Sequence, residues 1–300
     1  MFGLFEKPVG IHITAKEVIL VQQKGKHKVP RLHKVLREAV PEGALTDGVL
    51  AKGELLLPIL QKMHAAIESA DVTVAIPVSK CYTAFFLLPE GVKKRDIGSL
   101  LAEKAKPLLP VPLSELSFEY SILKGVREGE QFVFVAGVEK KLLHEYEKLF
   151  ENAGFKPNFA VDTLALAKAI PVKMSKYPAL MFLHAFSDSA LMSSVFHGRA
   201  FDGISSKTLD TDFVDSYQSF VQQIQEGPEY IVVSGDRKAL DGLAKVKFTG
   251  ANPIFVSAEF MVSKEGAVQA SDDLIIATGL GLLYSDCKKN DGICLLNLVD

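Results

Sequence analysis

The segment 71–77, DVTVAIP, is a nearly unbroken run of β-forming apolar residues closed by a proline. A strand that turns apolar side chains to both faces must be covered on both, as a buried parallel strand between helices is. The residues just before it supply one cover. Across 52–69, Leu56, Ile59, Leu60, Met63 and Ile67 recur at helical spacing opposite Gln61, Lys62 and Glu68. That pairing of helix and buried strand places the chain in the α/β class.

The same alternation runs along the whole chain. Residues 9–22 read as two short strands around a turn at Ala15 and Lys16, and 31–39 as a third strand of an antiparallel meander. A second unit follows near Val78. It holds a strand at 81–88, a helix at 94–106 entered at Asp96, and the proline-punctuated segment 107–112. Paired strands at 116–123 and 131–138 come next, separated by Gly125 and Gly129. The helix at 139–152 is stopped by Gly154 and carries Leu142, Tyr146, Leu149 and Phe150 on one face. A third unit begins after the loop 171–178. It is expected to hold a hairpin at 179–185 and 190–197, helices at 212–226 and 237–244, a buried strand at 229–234 and an apolar helix at 274–283. No internal repeat of fixed period is visible.

Composition narrows the functional classes. Lys plus Arg is 34 against 36 Asp plus Glu, a net charge of -2, so no bulk attraction to nucleic acid or anionic lipid is implied. The three cysteines, Cys81, Cys287 and Cys294, form no closed disulfide set or zinc pattern, which points to a reducing compartment. The N-terminus lacks the features of a secretory signal. The apolar stretch 274–283 is far short of the roughly 20 residues needed to span a bilayer. A soluble, cytoplasmic chain is the expectation.

Several motifs reduce to structural readings. TGLGLLYS at 278–285 begins like a dinucleotide fingerprint, but Tyr284 stands near the third glycine and no helix has room to follow. It reads as a helix whose glycines allow close packing. The seven histidines form no HExxH and no ligand-spaced pair with cysteine, so no metal site is expected. No GxSxG elbow occurs. The basic segment 24–37 reads as the solvated rim of a hairpin, and the loop 41–50 lacks the GK[ST] ending of a P-loop.

Seven collinear pieces carry a family resemblance. They are MFGLFEKPVGIHITAKEVILVQ, VPEGALTDGVL, VTVAIPVSKCYTAFFLLPEG, AKPLLPVPLSELSFEYSIL, ENAGFKPNFAVDTLALAKAI and EYIVVSGDRKALDGLA with LIIATGLGLL. Together they resemble the PilM family, pilus-assembly relatives of actin and FtsA. The resemblance implies an actin-like (ribonuclease H-like) fold of two α/β lobes around a cleft, with a small inserted α+β subdomain. It implies a first lobe of 1–77 and 154–175, an insert of 78–153, and a second lobe of 176–300.

In that superfamily two β-hairpin turns hold the phosphates of a nucleotide, each led by an aspartate and followed by glycines. The matching positions here are Gly10, His12 and Thr14, where the family has G-I-D-I-G, and His184, Phe186 and Ser187, where it has D-I-G. Both aspartates have become histidine, and glycines have become Thr14 and Phe186. Losing two carboxylates removes the oxygen ligands that Mg²⁺ requires. Gly235 and Asp236 resemble the adenosine-side motif, and Asp162 reads as a helix N-cap. The expectation is a degenerate cleft with no cofactor and no catalysis, against the alternative of an active ATPase that binds ATP with Mg²⁺. A sugar-kinase-like enzyme would need a catalytic aspartate that neither turn supplies.

The resemblance also implies partners. PilN-like or GspL/GspE-like proteins of an inner-membrane platform are expected, with a secretion or assembly ATPase possible and nucleic acid excluded. The partner peptide would dock in a groove between the first lobe and the insert. The tail residues Leu296, Asn297 and Leu298 resemble the INLLP motif of PilN. They suggest either the last strand of the lobe or a tether continuing past Asp300 to the membrane. The chain is therefore expected on the cytoplasmic face of the inner membrane.

Overall fold

The computed structural model describes residues 7–24, 30–127, 129–170, 179–186, 189–196, 199–206, 230–235, 252–255 and 271–288. β1 (Val9–Ile13) and β2 (Glu17–Gln23) make the first hairpin, and β3 (Leu32–Ala39) pairs antiparallel with β2. A small hairpin of β4 (Leu45–Thr46) and β5 (Val49–Leu50) turns on Asp47 and Gly48, with φ of 49° and 75°. Two successive positive φ values are what a tight two-residue hairpin turn demands, and an Asp-Gly pair supplies them. α1 (Leu57–Ala65) is shorter than the 52–69 expected. Residues 53–55 form a 3₁₀ turn, and Pro58 sits in the first turn of the helix, where its missing N–H is harmless.

β6 (Asp71–Ile76) lies parallel to β1. β7 (Cys81–Pro89), α2 (Lys94–Ala105), β8 (Leu116–Arg127), β9 (Glu130–Glu139) and α3 (Lys140–Asn152) follow. β8 runs through Gly125, so only Gly129, with φ of 76°, marks the turn into β9. β10 (Lys156–Val161) leads directly into α4 (Asp162–Lys168). The remaining described elements are β11 (Ala179–Ala185), β12 (Ala190–Phe196), β13 (Arg199–Ser206), β14 (Tyr230–Gly235), β15 (Asn252–Phe255) and α5 (Ile275–Lys288). The helices expected at 212–226 and 237–244 lie outside the described residues.

Three larger sheets result. One has the order β10-β6-β1-β2-β3 and another the order β13-β12-β11-β14-β15. Their plans are identical: an antiparallel three-strand meander whose first strand pairs in parallel with a fourth, which pairs in parallel with a fifth. The chain thus builds one unit twice, a repeat with no fixed sequence period. The third sheet, β7-β9-β8, shares no strand with the others. Alternation along β9 gives that sheet two covers. Val133 and Val135 pack with Leu88, Ile97 and Leu101 beneath α2, while Phe134, Ala136 and Val138 join the main core.

α3 buries Leu143, Tyr146, Leu149 and Phe150 in that same core, with Tyr146 and Phe150 edge-on to Phe159 of β10. Leu143 takes the buried position expected of Leu142, which is left half-buried on the flank. The Tyr146 hydroxyl donates to the Gly48 carbonyl at 3.0 Å, fixing the β4–β5 hairpin over the helix.

α4 and α5 lie against each other where the two five-stranded sheets meet. α5 covers β1, β2 and β6, and α4 reaches β12 and β13. The approach is backbone on backbone. A Cβ at Gly279 would stand 1.9 Å from the Ala165 carbonyl oxygen of α4, and one at Gly10 would stand 1.9 Å from that of Ala277. Gln23 seals the seam by donating from Nε2 to the Thr278 carbonyl at 2.6 Å. The glycines of TGLGLL are therefore packing residues.

Candidate functional site

The two equivalent hairpins put equivalent residues at the ends of their first strands. His12 is the penultimate residue of β1, and His184 is the penultimate residue of β11. They sit opposite Ile19 and Leu191 in matching antiparallel pairs. The fold duplicates its turn, and each copy presents a histidine where the resemblance implies an aspartate.

The histidines meet through Phe186. Its ring centroid lies 5.8 Å from that of His12 and 4.6 Å from that of His184, the latter contact edge-on at 84°. Phe186 also packs against the main core. An aromatic ring thus lies between His12 and His184, at the position where the resemblance implies a glycine.

Both imidazoles are buried and under-bonded. His184 Nδ1 is 2.9 Å from Ser234 Oγ, but its Nε2 and the Nδ1 of His12 have no hydrogen-bond partner among the described residues. Burial pushes the His12 pKa down to about 4. Burial, with a smaller repulsion from His12, pushes that of His184 down to about 3 against the opposing attraction of Asp273. At neutral pH these rings are uncharged and cannot replace the lost carboxylates as ligands for a hard cation. Among the described residues no group of three or more His, Cys, Asp or Glu could hold a metal ion.

The turns are also closed by their own bonds. Thr14 Oγ1 accepts the Lys16 and Glu17 N–H groups, and the Thr14 N–H donates to the Glu17 carbonyl. In the second turn Phe186 N–H donates to the Ser189 carbonyl at 2.8 Å. Gly235 ends β14 with φ of 116°, pressed against Ala185, so a side chain there would collide with backbone. The structure therefore brings His12, Phe186 and His184 together, with Gly235 beside Ala185, while Gly10 packs against α5 and Thr14 bonds within its own turn. Ser187, Asp236, Leu296, Asn297 and Leu298 lie outside the described residues.

Asp162 departs from its expected role. Val161 is the N-cap of α4, and Asp162 is the first helical residue. Its Oδ1 accepts the Val78 N–H at 3.0 Å, a bond spanning 84 residues of sequence. Burial raises its pKa to about 7, with the N–H groups of Val78, Thr163 and Asp162 itself favouring the carboxylate. Beside it, the Cys81 thiol donates weakly to the Pro77 carbonyl at 3.4 Å, and burial together with the Asp162 charge pushes its pKa up.

Where it is described, the basic segment 24–37 lies on the edge strand β3 with Arg37 exposed, as its reading as a solvated rim expects, and two of its side chains bond to neighbouring elements. Lys34 Nζ donates to the Ala66 carbonyl at the C-terminus of α1. Arg37 binds Glu17, Ser271 and Asp273, joining β2 and β3 to the start of α5.

A second concavity, of about 360 Å³, opens between α3, the β4–β5 hairpin and the start of β7. Val49, Ser79, Cys81, Tyr82, Glu139 and Leu142 are among the residues lining it. Tyr82 reaches the Glu139 carboxylate at 3.4 Å on one wall. Apolar side chains, a phenol and charged rims of both signs suit a short peptide. The sequence reading placed a groove between the first lobe and the insert without naming these residues. The only sequence signal was a DG turn followed by Val49, which the fold leaves exposed.

These features match known proteins. No curated protein matches the sequence. Among solved structures, the chain is similar to the PilM–PilN type IV pilus biogenesis complex, with 16% identity, coverage of 93% and 98%, and a TM-score of 0.74. It is also similar to the cytoplasmic domain of EpsL, an inner-membrane component of the type II secretion system of Vibrio cholerae, with 11% identity, coverage of 97% and 98%, and a TM-score of 0.59. A Bacteroides thetaiotaomicron protein with an actin-like ATPase fold follows at 12% identity, coverage of 85% and 94%, and a TM-score of 0.50. These likenesses establish the actin-like fold. The family model described as type IV pilus assembly protein PilM matches residues 10–186, more than half of the 300-residue chain. The chain belongs to the PilM family of type IV pilus assembly proteins.

Proposed function

We propose that this PilM-family protein works as a scaffold rather than an ATPase. It binds a PilN-like cytoplasmic peptide in the groove beside Tyr82 and Leu142, and through that partner it sits on the cytoplasmic face of the inner membrane. The observation that supports the non-enzymatic part is the His12–Phe186–His184 ring contact at the positions where the resemblance implies phosphate turns, three uncharged rings in place of carboxylates and glycine. Supporting the membrane contact through a partner, no helix among the described residues is long and apolar enough to cross a bilayer. The division into 1–77 with 154–175, 78–153 and 176–300 belongs to the same proposal. The separate β7-β9-β8 sheet supports it, although the apolar face of α3 packs into the main core.

Two measurements test this reading. Adding millimolar ATP with Mg²⁺ should move the melting temperature by less than about 1 °C, because a ligand that does not bind the native state cannot stabilise it. A clear upward shift would restore the ATPase reading. Secondly, Leu142→Glu should weaken binding of an INLLP-type peptide at least tenfold by placing a charge where leucine meets apolar surface. Its melting temperature should change little, since Leu142 is only half-buried. Unchanged peptide affinity would remove the groove from the proposal.

A further inference from the structure

The wall of the groove and the helix that crosses between the two large sheets are joined at one side chain. β6 ends at Ile76, Pro77 follows, and residues 78–80 form a 3₁₀ turn before β7 starts at Cys81. That turn and its exit supply Ser79, Lys80, Cys81 and Tyr82 to the groove. Its Val78 N–H is held by Asp162 Oδ1, from the first turn of α4. β10 and β6 pair in parallel with Val161 beside Ile76, so the carboxylate stands at the carboxyl ends of both strands. The same helix lies against β12 and β13, and β13 also approaches the 78–80 turn and β7. Any movement of the second sheet relative to the first is therefore transmitted to this turn through α4 and β13.

Burial makes the connection stringent. Asp162 is 8% exposed and Val78 is 6% exposed. Without the carboxylate the Val78 N–H would lose its partner inside the protein, and the turn would rearrange to find another. Pro77 presses on Gly48, whose carbonyl takes the Tyr146 hydroxyl, so a rearranged turn also disturbs the opposite wall.

We infer that Asp162 is a positioning residue that couples the arrangement of the two large sheets to the shape of the peptide groove, by holding the 78–81 turn against α4. This rests on the groove reading for its partner but not for its physical content. Peptide docking and the relative placement of the sheets then become linked equilibria, each shifting the other.

The experiment has one arm with peptide and one without. In a background where Cys287 and Cys294 are replaced by serine, Cys81 is labelled with a bulky maleimide in wild type, Asp162→Ala and Asp162→Asn. Asp162→Ala should speed labelling at least tenfold, because the turn that partly covers the thiol loses its anchor. Asp162→Asn keeps an acceptor oxygen for Val78 N–H and should label within threefold of wild type. Equal labelling in all three, at temperatures well below melting, would overturn the inference. Hydrogen exchange is then measured with and without an INLLP-type peptide. Wild type and Asp162→Asn should gain protection at 78–82 and also at 162–168, whereas Asp162→Ala should gain it at 78–82 alone. Protection reaching 162–168 equally in Asp162→Ala would also overturn it. If wild type binds no peptide while labelling still responds to Asp162, the groove reading fails and the coupling of turn to helix stands.

Discussion

Gly279→Val should leave this protein unable to hold its two large sheets together. A Cβ at Gly279 would lie 1.9 Å from the Ala165 carbonyl oxygen and 2.6 Å from its carbon. Both are backbone atoms of α4, so no rotamer change relieves the clash, and the helices must separate. Separation disturbs the rest of the seam, because Gly10 sits against Ala277 and Gly281 against the Gln23 amide. The expected loss is about 4 kcal/mol or more, at the severe end of single substitutions, read from the urea midpoint. Gly98→Ala is the contrast. Gly98 lies within α2, its missing Cβ would meet nothing within 4 Å, and the substitution should stabilise by about 0.5–1 kcal/mol. Loss below about 1 kcal/mol in Gly279→Val would show that the helix seam yields easily.

That seam illustrates what the sequence makes legible. Glycine spacing in TGLGLL suggested close packing, and the periodicity of 139–152 located α3 almost to the residue, because both are local properties. α1 came out shorter than its apolar pattern, since pattern does not reveal that 53–55 would take a 3₁₀ turn. The duplicated sheet plan was invisible, because the copies share strand pairing and not side chains. Asp162 looked like a cap because an acidic residue at a helix start usually is one. Its real partner, Val78 N–H, is brought to it only by the parallel pairing of β10 with β6. The positions of His12 and His184 emerged from the family resemblance, and only the fold brings Phe186 between them.

The site and the fold are bound by the same substitution pattern. Charged aspartates facing a cleft need solvent or a cation, and they can face an open cavity. Neutral imidazoles with a phenylalanine between them can instead close it, so the edges of the two sheets gain apolar contact where a nucleotide would have stood. On the proposed reading, a site built this way holds no nucleotide.

The buried titratable groups give the cleft a pH signature of predictable sign. His12 and His184 have native pKa values of about 4 and about 3, below the unfolded value of 6.5. The unfolded chain therefore binds more protons between those values, and these rings contribute stability that is present above pH 6.5 and lost as pH falls toward 4. Asp162 acts oppositely. Its native pKa of about 7 lies above the unfolded 3.8, so its contribution is greatest below pH 3.8 and is lost as pH rises toward 7. Between pH 4 and 6.5 two histidines oppose one aspartate, leaving a net rise in stability of about 1.4 kcal/mol per pH unit from these three groups. The double variant His12→Gln, His184→Gln removes the larger share. Relative to wild type, its stability should fall with rising pH across that window by about 2.7 kcal/mol per unit, leaving the slope of Asp162 alone. Urea midpoints at half-unit intervals from pH 4.5 to 7.5 measure the difference directly. Parallel pH profiles for the variant and wild type would mean that the rings are reached by water or protonated in the folded state, and the closed cleft would have to be abandoned.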